Sequence, residues 1–71
     1  MKNRFQRQRL RELREGRGMS QAELSEASGI HRVSIARYEL GIIVPTVDSL
    51  ARLADALDVP MSELIDVKKA G

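Results

Sequence analysis

Few residues of this 71-residue chain could perform covalent or metal chemistry. The chain has no cysteine and a single histidine, His31, so it lacks both a thiolate and a pair of imidazoles for a metal ion. Its carboxylates are spread along the chain as ordinary solubilising charges, and no glycine-rich phosphate loop is present. We therefore expect no enzyme activity, no catalytic residue, no metal site and no cofactor. For His31, capping a helix or contacting a phosphate is favoured over catalysis.

The arginines are the other chemically distinctive residues, and they are unevenly distributed. Residues 1–37 carry nine positive and four negative side chains, a balance of +5, whereas residues 38–71 carry three positive and six negative ones, a balance of −3. A basic half joined to an acidic half indicates a polyanionic partner approached from one side. A solvated surface of uneven charge is the alternative, and charge alone does not decide between them.

Glycine and proline divide the chain into five short segments, and each has the apolar spacing of a helix. No segment shows the alternation of a strand or a hairpin turn signal. The sequence predicts one all-α domain over residues 1–71, with a tail at 66–71. We expect its five helices at about residues 3–15, 20–27, 31–40, 47–57 and 61–65.

Several residues predict where these helices begin and end. Asn3 and Thr46 are possible N-caps, Ser20 with Glu23 forms a capping box, and Gly41 is a typical C-terminal stop. In the third helix, Ile35 and Tyr38 are spaced to face inward. The fourth helix has the strongest apolar stripe, formed by Val47, Leu50, Leu53, Ala54 and Leu57.

The stretch from Met19 to Gly41, MSQAELSEASGIHRVSIARYELG, resembles the helix-turn-helix of the phage Cro and repressor family, the XRE-type regulators. The resemblance covers about residues 10–65, with the helix-turn-helix itself at about 20–40. It implies a compact five-helix bundle of the lambda-repressor type. It further implies a sequence-specific regulator of transcription, repressor-like, whose third helix enters the major groove of double-stranded DNA.

The same resemblance implies roles for particular residues. It implies that Arg32, Val33 and Arg37 read the bases. An arginine can pair bidentately with guanine, and an apolar side chain such as that of Val33 can contact the thymine methyl group. Contact with phosphates alone is the alternative for the two arginines. It also implies that a second set of residues contacts the DNA backbone, namely Ser20, Gln21, His31 and Ser34.

Two further features follow from comparison with the family pattern. Arg14 and Glu39 match positions that form an internal ion pair between the first helix and the recognition helix. The loop after that helix departs from the pattern, because it is apolar where the family often has polar or basic residues. This loop, which either contacts a protein partner or folds onto the core, consists of Leu40, Ile42, Ile43 and Val44.

A module of this size implies a homodimer, since two copies are the usual route to affinity on a two-fold DNA site. Candidate dimer surfaces are the corner at Leu57, Val59 and Met61 and the tail at Ile65 and Val67. The alternative function is an antitoxin or another protein-interaction module with the same fold. No secretory signal or membrane span is evident, so we expect a cytoplasmic protein with no membrane partner.

Overall fold

The fold consists of four α-helices and two short strands, one before and one after the helices in the chain, that pair with each other. The structure is a computed structural model, and it describes residues 3–67. In chain order its elements are β1 (Asn3–Phe5), α1 (Arg7–Gly16), α2 (Gln21–Ser28), α3 (Arg32–Leu40), α4 (Val47–Ala56), a single 3-10 turn (Met61–Glu63) and β2 (Ile65–Val67).

The core lies where the four helices meet. Because α2 has only eight residues, it is not stable alone and depends on its packing against α3 and α4. Each fully buried leucine or isoleucine contributes about 1.5–3 kcal/mol. The side chains with no exposed surface are Leu10, Leu24, Ile35, Leu53, Leu57 and Leu64. Next to them, the rings of Phe5 and Tyr38 meet edge to face with centroids 6.2 Å apart.

The prediction of a fifth helix at 61–65 is wrong. Residues Met61–Glu63 form one 3-10 turn, in which the Leu64 amide donates to the Met61 carbonyl at 2.9 Å. Runs of 3-10 helix longer than three or four residues are uncommon, and here the chain becomes extended at Ile65 to pair with β1. Leu64 still closes the core, because its side chain is fully buried.

The prediction that the chain has no strand is also wrong. Asn3 does not cap a helix but lies in β1, which pairs antiparallel with β2 in a register that places Phe5 opposite Ile65. The first helix begins later than predicted, at Arg7, after Gln6 has donated its amide to the Leu64 carbonyl at 2.9 Å. Three-residue strands are too short to show an alternating pattern. Of the predicted tail at 66–71, residues 66 and 67 belong to β2, and 68–71 lie outside the described residues.

The other helix boundaries follow the predicted signals. Thr46 caps α4 by accepting from the Ser49 amide at 3.1 Å, and Gly41 ends α3 with a positive φ of 77°. One member of the predicted α4 stripe is misplaced, because Val47 is 73% exposed. It is the first residue of α4, at the loop end of the helix, so its side chain lies outside the core.

Candidate nucleic-acid interface

The third helix has one buried face and one exposed face. Ile35 is fully buried and Tyr38 nearly so, as predicted. Arg32 and Arg37 are exposed, and Val33 is 47% exposed. The three side chains assigned to base reading therefore lie together on the outer surface of α3, on the side that does not contact the core.

The turn between α2 and α3 is held by serine side chains. Gly29 ends α2 with a φ of 73°, a left-handed conformation that glycine adopts without strain. The Ser25 hydroxyl donates to the Ile30 carbonyl at 2.6 Å, and the Ile30 amide donates to the Ser28 hydroxyl at 3.2 Å. The sequence predicted the end of this helix at Ser28 and Gly29, a known turn signal, but it did not predict these hydrogen bonds of Ser25 and Ser28.

The start of α2 forms the predicted capping box. The Glu23 amide donates to the Ser20 hydroxyl at 3.0 Å, and the Ser20 amide donates to the Glu23 carboxylate at 2.8 Å. Gln21, the first residue of α2, is half-buried and donates from Nε2 to Glu39 Oε1 at 3.2 Å. The positive end of the α2 dipole therefore lies beside α3.

His31 caps α3 with its imidazole ring. Its Nδ1 accepts a hydrogen bond from the Val33 amide at 3.1 Å. A neutral imidazole that accepts at Nδ1 carries its proton on Nε2, so the second nitrogen is a donor suited to an anion. Ser34 lies one turn further on, half-buried in α3. His31 and Ser34, two of the four residues assigned to the DNA backbone, are thus near the beginning of α3.

A nearly buried ion pair connects α1 to α3. Arg14 donates from Nε to Glu39 Oε2 at 2.7 Å and from Nη2 to Glu39 Oε1 at 3.0 Å. Its third donor, Nη1, bonds to the Met19 carbonyl at 2.8 Å. The Arg14 side chain is 10% exposed and that of Glu39 is 6% exposed. Because Glu39 also accepts from Gln21, one carboxylate joins α1, α2 and α3.

This pairing also affects the acid–base behaviour of Arg14. The hydrogen bonds to Glu39 are the main cause that raises the pKa of the Arg14 guanidinium above its ordinary value. Burial acts in the opposite direction, and the charges of Glu39 and Glu15 add to the rise. The guanidinium therefore keeps its charge inside the protein, where it needs the carboxylate as a partner.

A second arginine of α1 also contacts the C-terminal end of α3. Arg7 Nη1 donates to the Leu40 carbonyl at 2.7 Å, where a cation is favoured by the negative end of the helix dipole. The Arg7 side chain also lies against Gly41, so that a Cβ at Gly41 would meet Arg7 Nη1 at 2.6 Å. The sequence did not predict this contact, because the two partners are 33 residues apart and no local pattern joins them.

Most arginines of α1 have partners within the protein. Arg9 bonds to Glu63, and Arg11 bonds to Glu15 at 3.2 Å. Among the ion pairs found within residues 3–67, none involves Arg32 or Arg37. Both cations of α3 are therefore exposed and available to an anionic partner.

The loop from α3 to α4 does not fold onto the core. Leu40, Ile42, Ile43 and Val44 are all exposed, and Pro45 is the residue of this stretch that is buried. In the described part of the chain, no group of acidic or histidine side chains could hold a metal ion. None of the helices in that part is long and apolar enough to cross a membrane.

Comparison with known proteins places this geometry in a family. A protein from Pyrococcus furiosus, named as an HTH-type transcriptional regulatory protein, is 44% identical over 63 residues, which are 89% of this chain and 20% of that protein. The transcriptional repressor RstR of the cryptic phage CTXphi from Vibrio cholerae is 34% identical over 58 residues, which are 82% of this chain and 52% of the repressor. The chain thus spans between about a fifth and a half of these relatives.

A solved structure and a family profile agree with these relatives. The restriction-modification controller protein C.AhdI from Aeromonas hydrophila superposes with a TM-score of 0.79 at 38% identity, over 80% of this chain and 86% of that one. The sequence profile of the helix-turn-helix family matches residues 10–64, which include α2, the turn and α3. The resemblance stated from the sequence is confirmed, and the chain belongs to the XRE-type helix-turn-helix family.

Proposed function

We propose that this domain binds double-stranded DNA at specific sequences and regulates transcription in the manner of a repressor, with α3 in the major groove. The observation that carries the proposal is the two-sided character of α3. One side is fixed to α1 and α2 through Glu39 and the core, and the other exposes Arg32, Val33 and Arg37. The printed names of the relatives, which include regulators and a repressor, support the same function.

Sequence reading would come from the exposed side of α3. Each guanidinium of Arg32 and Arg37 can donate two hydrogen bonds to guanine O6 and N7, and Val33 can contact a thymine methyl group. The two arginines are five residues apart, which corresponds to about 7.5 Å along a helix axis. They would therefore read different base pairs of one site.

The DNA backbone would be held next to α3 by the start of α2 and the start of α3. The first turn of α2 has amides and a positive dipole end that favour a phosphate, with Ser20 and Gln21 beside them. The Nε2 of His31 and the hydroxyl of Ser34 can each donate to a phosphate oxygen. These four residues would fix the orientation of α3 and carry no sequence information themselves.

The complete binding unit would be a homodimer on a two-fold DNA site. Family geometry places the two half-sites about 34–36 Å apart, one turn of DNA. The alternative function, an antitoxin or another protein-interaction module, is not favoured, because the named relatives are regulators of transcription.

The test is selection of bound duplexes from random DNA with the wild type and two arginine variants. We expect the wild type to enrich one motif, and Arg37→Ala to relax one base position of it by roughly 1–3 kcal/mol. Arg11→Ala is the matched control, because Arg11 is exposed on α1 and paired with Glu15. Equal binding of all sequences by the wild type would contradict base reading, as would identical motifs for the wild type and Arg37→Ala.

A further inference from the structure

The carboxylate of Glu39 is a fixed acceptor for the side chain of Gln21. Glu39 Oε1 accepts from Gln21 Nε2 at 3.2 Å and from Arg14 Nη2 at 3.0 Å. Its other oxygen, Oε2, accepts from Arg14 Nε at 2.7 Å. The Glu39 side chain is only 6% exposed, so water has little access to either oxygen. The Gln21 amide therefore meets a carboxylate that an arginine of α1 already holds in place.

This contact decides which way round the Gln21 amide lies. An ionised carboxylate only accepts hydrogen bonds, whereas a glutamine amide has a nitrogen with two N–H donors and an oxygen that accepts. Gln21 must therefore turn Nε2 toward Glu39, because its amide oxygen has nothing to bond there. One N–H of Nε2 is bonded to Glu39, and no hydrogen bond within residues 3–67 uses the second one.

The capping box leaves two backbone donors at the start of α2. The Ser20 and Glu23 amides are bonded to each other's side chains, and the Leu24 amide donates to the Ser20 carbonyl at 3.0 Å. In the described part of the chain, the amides of Gln21 and Ala22 have no acceptor. An anion bound by these two amides would lie beside the Gln21 side chain, since Gln21 supplies one of them.

We propose that Glu39 is a positioning residue for DNA binding, an inference that rests on the proposed function. By accepting one N–H of Gln21, Glu39 keeps the amide from turning over and leaves the second N–H for a phosphate of the DNA backbone. A turned amide would put its oxygen in the place of the nitrogen, and a phosphate oxygen repels it. Glu39 itself does not contact DNA, because it is nearly buried and its charge is balanced by Arg14.

Charge alone predicts the opposite effect for Glu39. A carboxylate opposes the binding of a polyanion, so the neutral substitution Glu39→Gln should strengthen DNA binding if charge were all that mattered. Positioning predicts weaker binding instead. The introduced amide has one oxygen where the carboxylate has two, so it cannot accept from both Arg14 nitrogens and from Gln21. The sign of the change in affinity therefore separates the two explanations.

The test titrates the 71-residue chain with the duplex enriched in the selection experiment above and follows binding by fluorescence anisotropy at one salt concentration. The proteins are the wild type, Glu39→Gln, Gln21→Met and the double variant. Glu63→Gln is the matched control, because it neutralises another paired carboxylate, the partner of Arg9, in the 3-10 turn outside α2 and α3. Circular dichroism gives the folded fraction of each protein, and the dissociation constants refer to folded protein.

We expect Glu39→Gln and Gln21→Met each to raise the dissociation constant about 10-fold, the effect of losing one hydrogen bond to a charged group. Because Glu39 acts through Gln21, Glu39→Gln should not weaken binding further in the Gln21→Met background. A merely structural role of Glu39 would weaken binding equally in both backgrounds. Glu63→Gln should not weaken binding at all.

A second measurement uses the wild type, so it does not depend on the stability of a Glu39 variant. The side-chain amide of Gln21 gives two proton signals in a ¹⁵N-correlated NMR spectrum, and their absence from the spectrum of Gln21→Met identifies them. Without DNA, we expect one of the two protons to be protected from exchange with water by its bond to Glu39. With the selected duplex, we expect both to be protected.

The inference is overturned if Glu39→Gln binds the duplex as tightly as the wild type or more tightly, or if its effect persists in the Gln21→Met background. It is also overturned if the duplex leaves the Gln21 amide signals unchanged. In each of these cases the wild type still binds its selected duplex, so the proposed function stands. Failure of the wild type to bind any duplex would refute the proposed function and this inference together.

Discussion

Replacement of Glu39 by alanine should destabilise this domain more than almost any change at its surface. The substitution removes both carboxylate oxygens from Arg14 and leaves its guanidinium, on a side chain only 10% exposed, with the Met19 carbonyl as its remaining close acceptor. Breaking a buried pair by removing one partner costs about 3–5 kcal/mol. A chain of this length has a total stability of roughly 4–11 kcal/mol, so Glu39→Ala should remove a large share of it.

The assay is urea unfolding followed by circular dichroism for Arg14→Ala, Glu39→Ala and the double variant. The double variant has no isolated buried charge, so its loss should be smaller than the sum of the single losses by about 1–3 kcal/mol. It should still fall below the wild type, because the Met19 carbonyl and Gln21 Nε2 lose their partners.

A surface pair provides the control for this experiment. Arg52 and Asp48 are 3.0 Å apart on α4, but their side chains are 54% and 77% exposed. Arg52→Ala should therefore cost only about 0.3–0.5 kcal/mol. If Glu39→Ala and Arg14→Ala were no more costly than Arg52→Ala, and their effects simply added, the ion pair would not anchor α3 and the reasoning would be wrong.

Two further predictions concern the backbone and the core. Gly41→Ala should lower the unfolding free energy by about 1–2 kcal/mol because of the left-handed φ alone, and it should also displace Arg7. Gly16→Ala, where a Cβ would meet nothing within 4 Å, should instead stabilise α1 by about 0.5–1 kcal/mol. Thermal unfolding of both variants distinguishes these signs, and equal losses would contradict the steric account. Leu53→Ala should lower the unfolding free energy by about 2–5 kcal/mol, because Leu53 is fully buried. Val47→Ala should change it by less than about 0.5 kcal/mol, because Val47 is exposed. A large loss for Val47→Ala would mean that its side chain is not exposed.

Signals that act within one turn of chain were readable from the sequence. The Ser20 capping box, the Thr46 cap and the Gly41 stop depend on residues two to four positions away, and all three are present in the structure. The inward positions of Ile35 and Tyr38 follow from helical spacing for the same reason.

Features that depend on distant parts of the chain were not readable in the same way. The pairing of β1 with β2 joins residues sixty or more positions apart, and neither strand has enough residues to show a period. The contact of Arg7 with the Leu40 carbonyl has no local signature either. The meeting of Arg14 and Glu39 was expected only through family resemblance, because the spacing of two oppositely charged residues does not by itself predict a buried pair.

The structure also changes which arginines of the basic half of the chain are expected to attract a polyanion. From the sequence, the excess of +5 over residues 1–37 indicates a broad electrostatic attraction to a polyanion. In the structure, Arg9, Arg11 and Arg14 are paired with carboxylates, and Arg7 holds a carbonyl. A paired arginine releases few counterions from DNA, so the salt dependence of binding should reflect the α2 and α3 contacts rather than the total charge. In titrations of one selected duplex at several salt concentrations, Arg11→Ala should therefore leave the salt slope unchanged, and a lower slope for Arg11→Ala would contradict this reasoning.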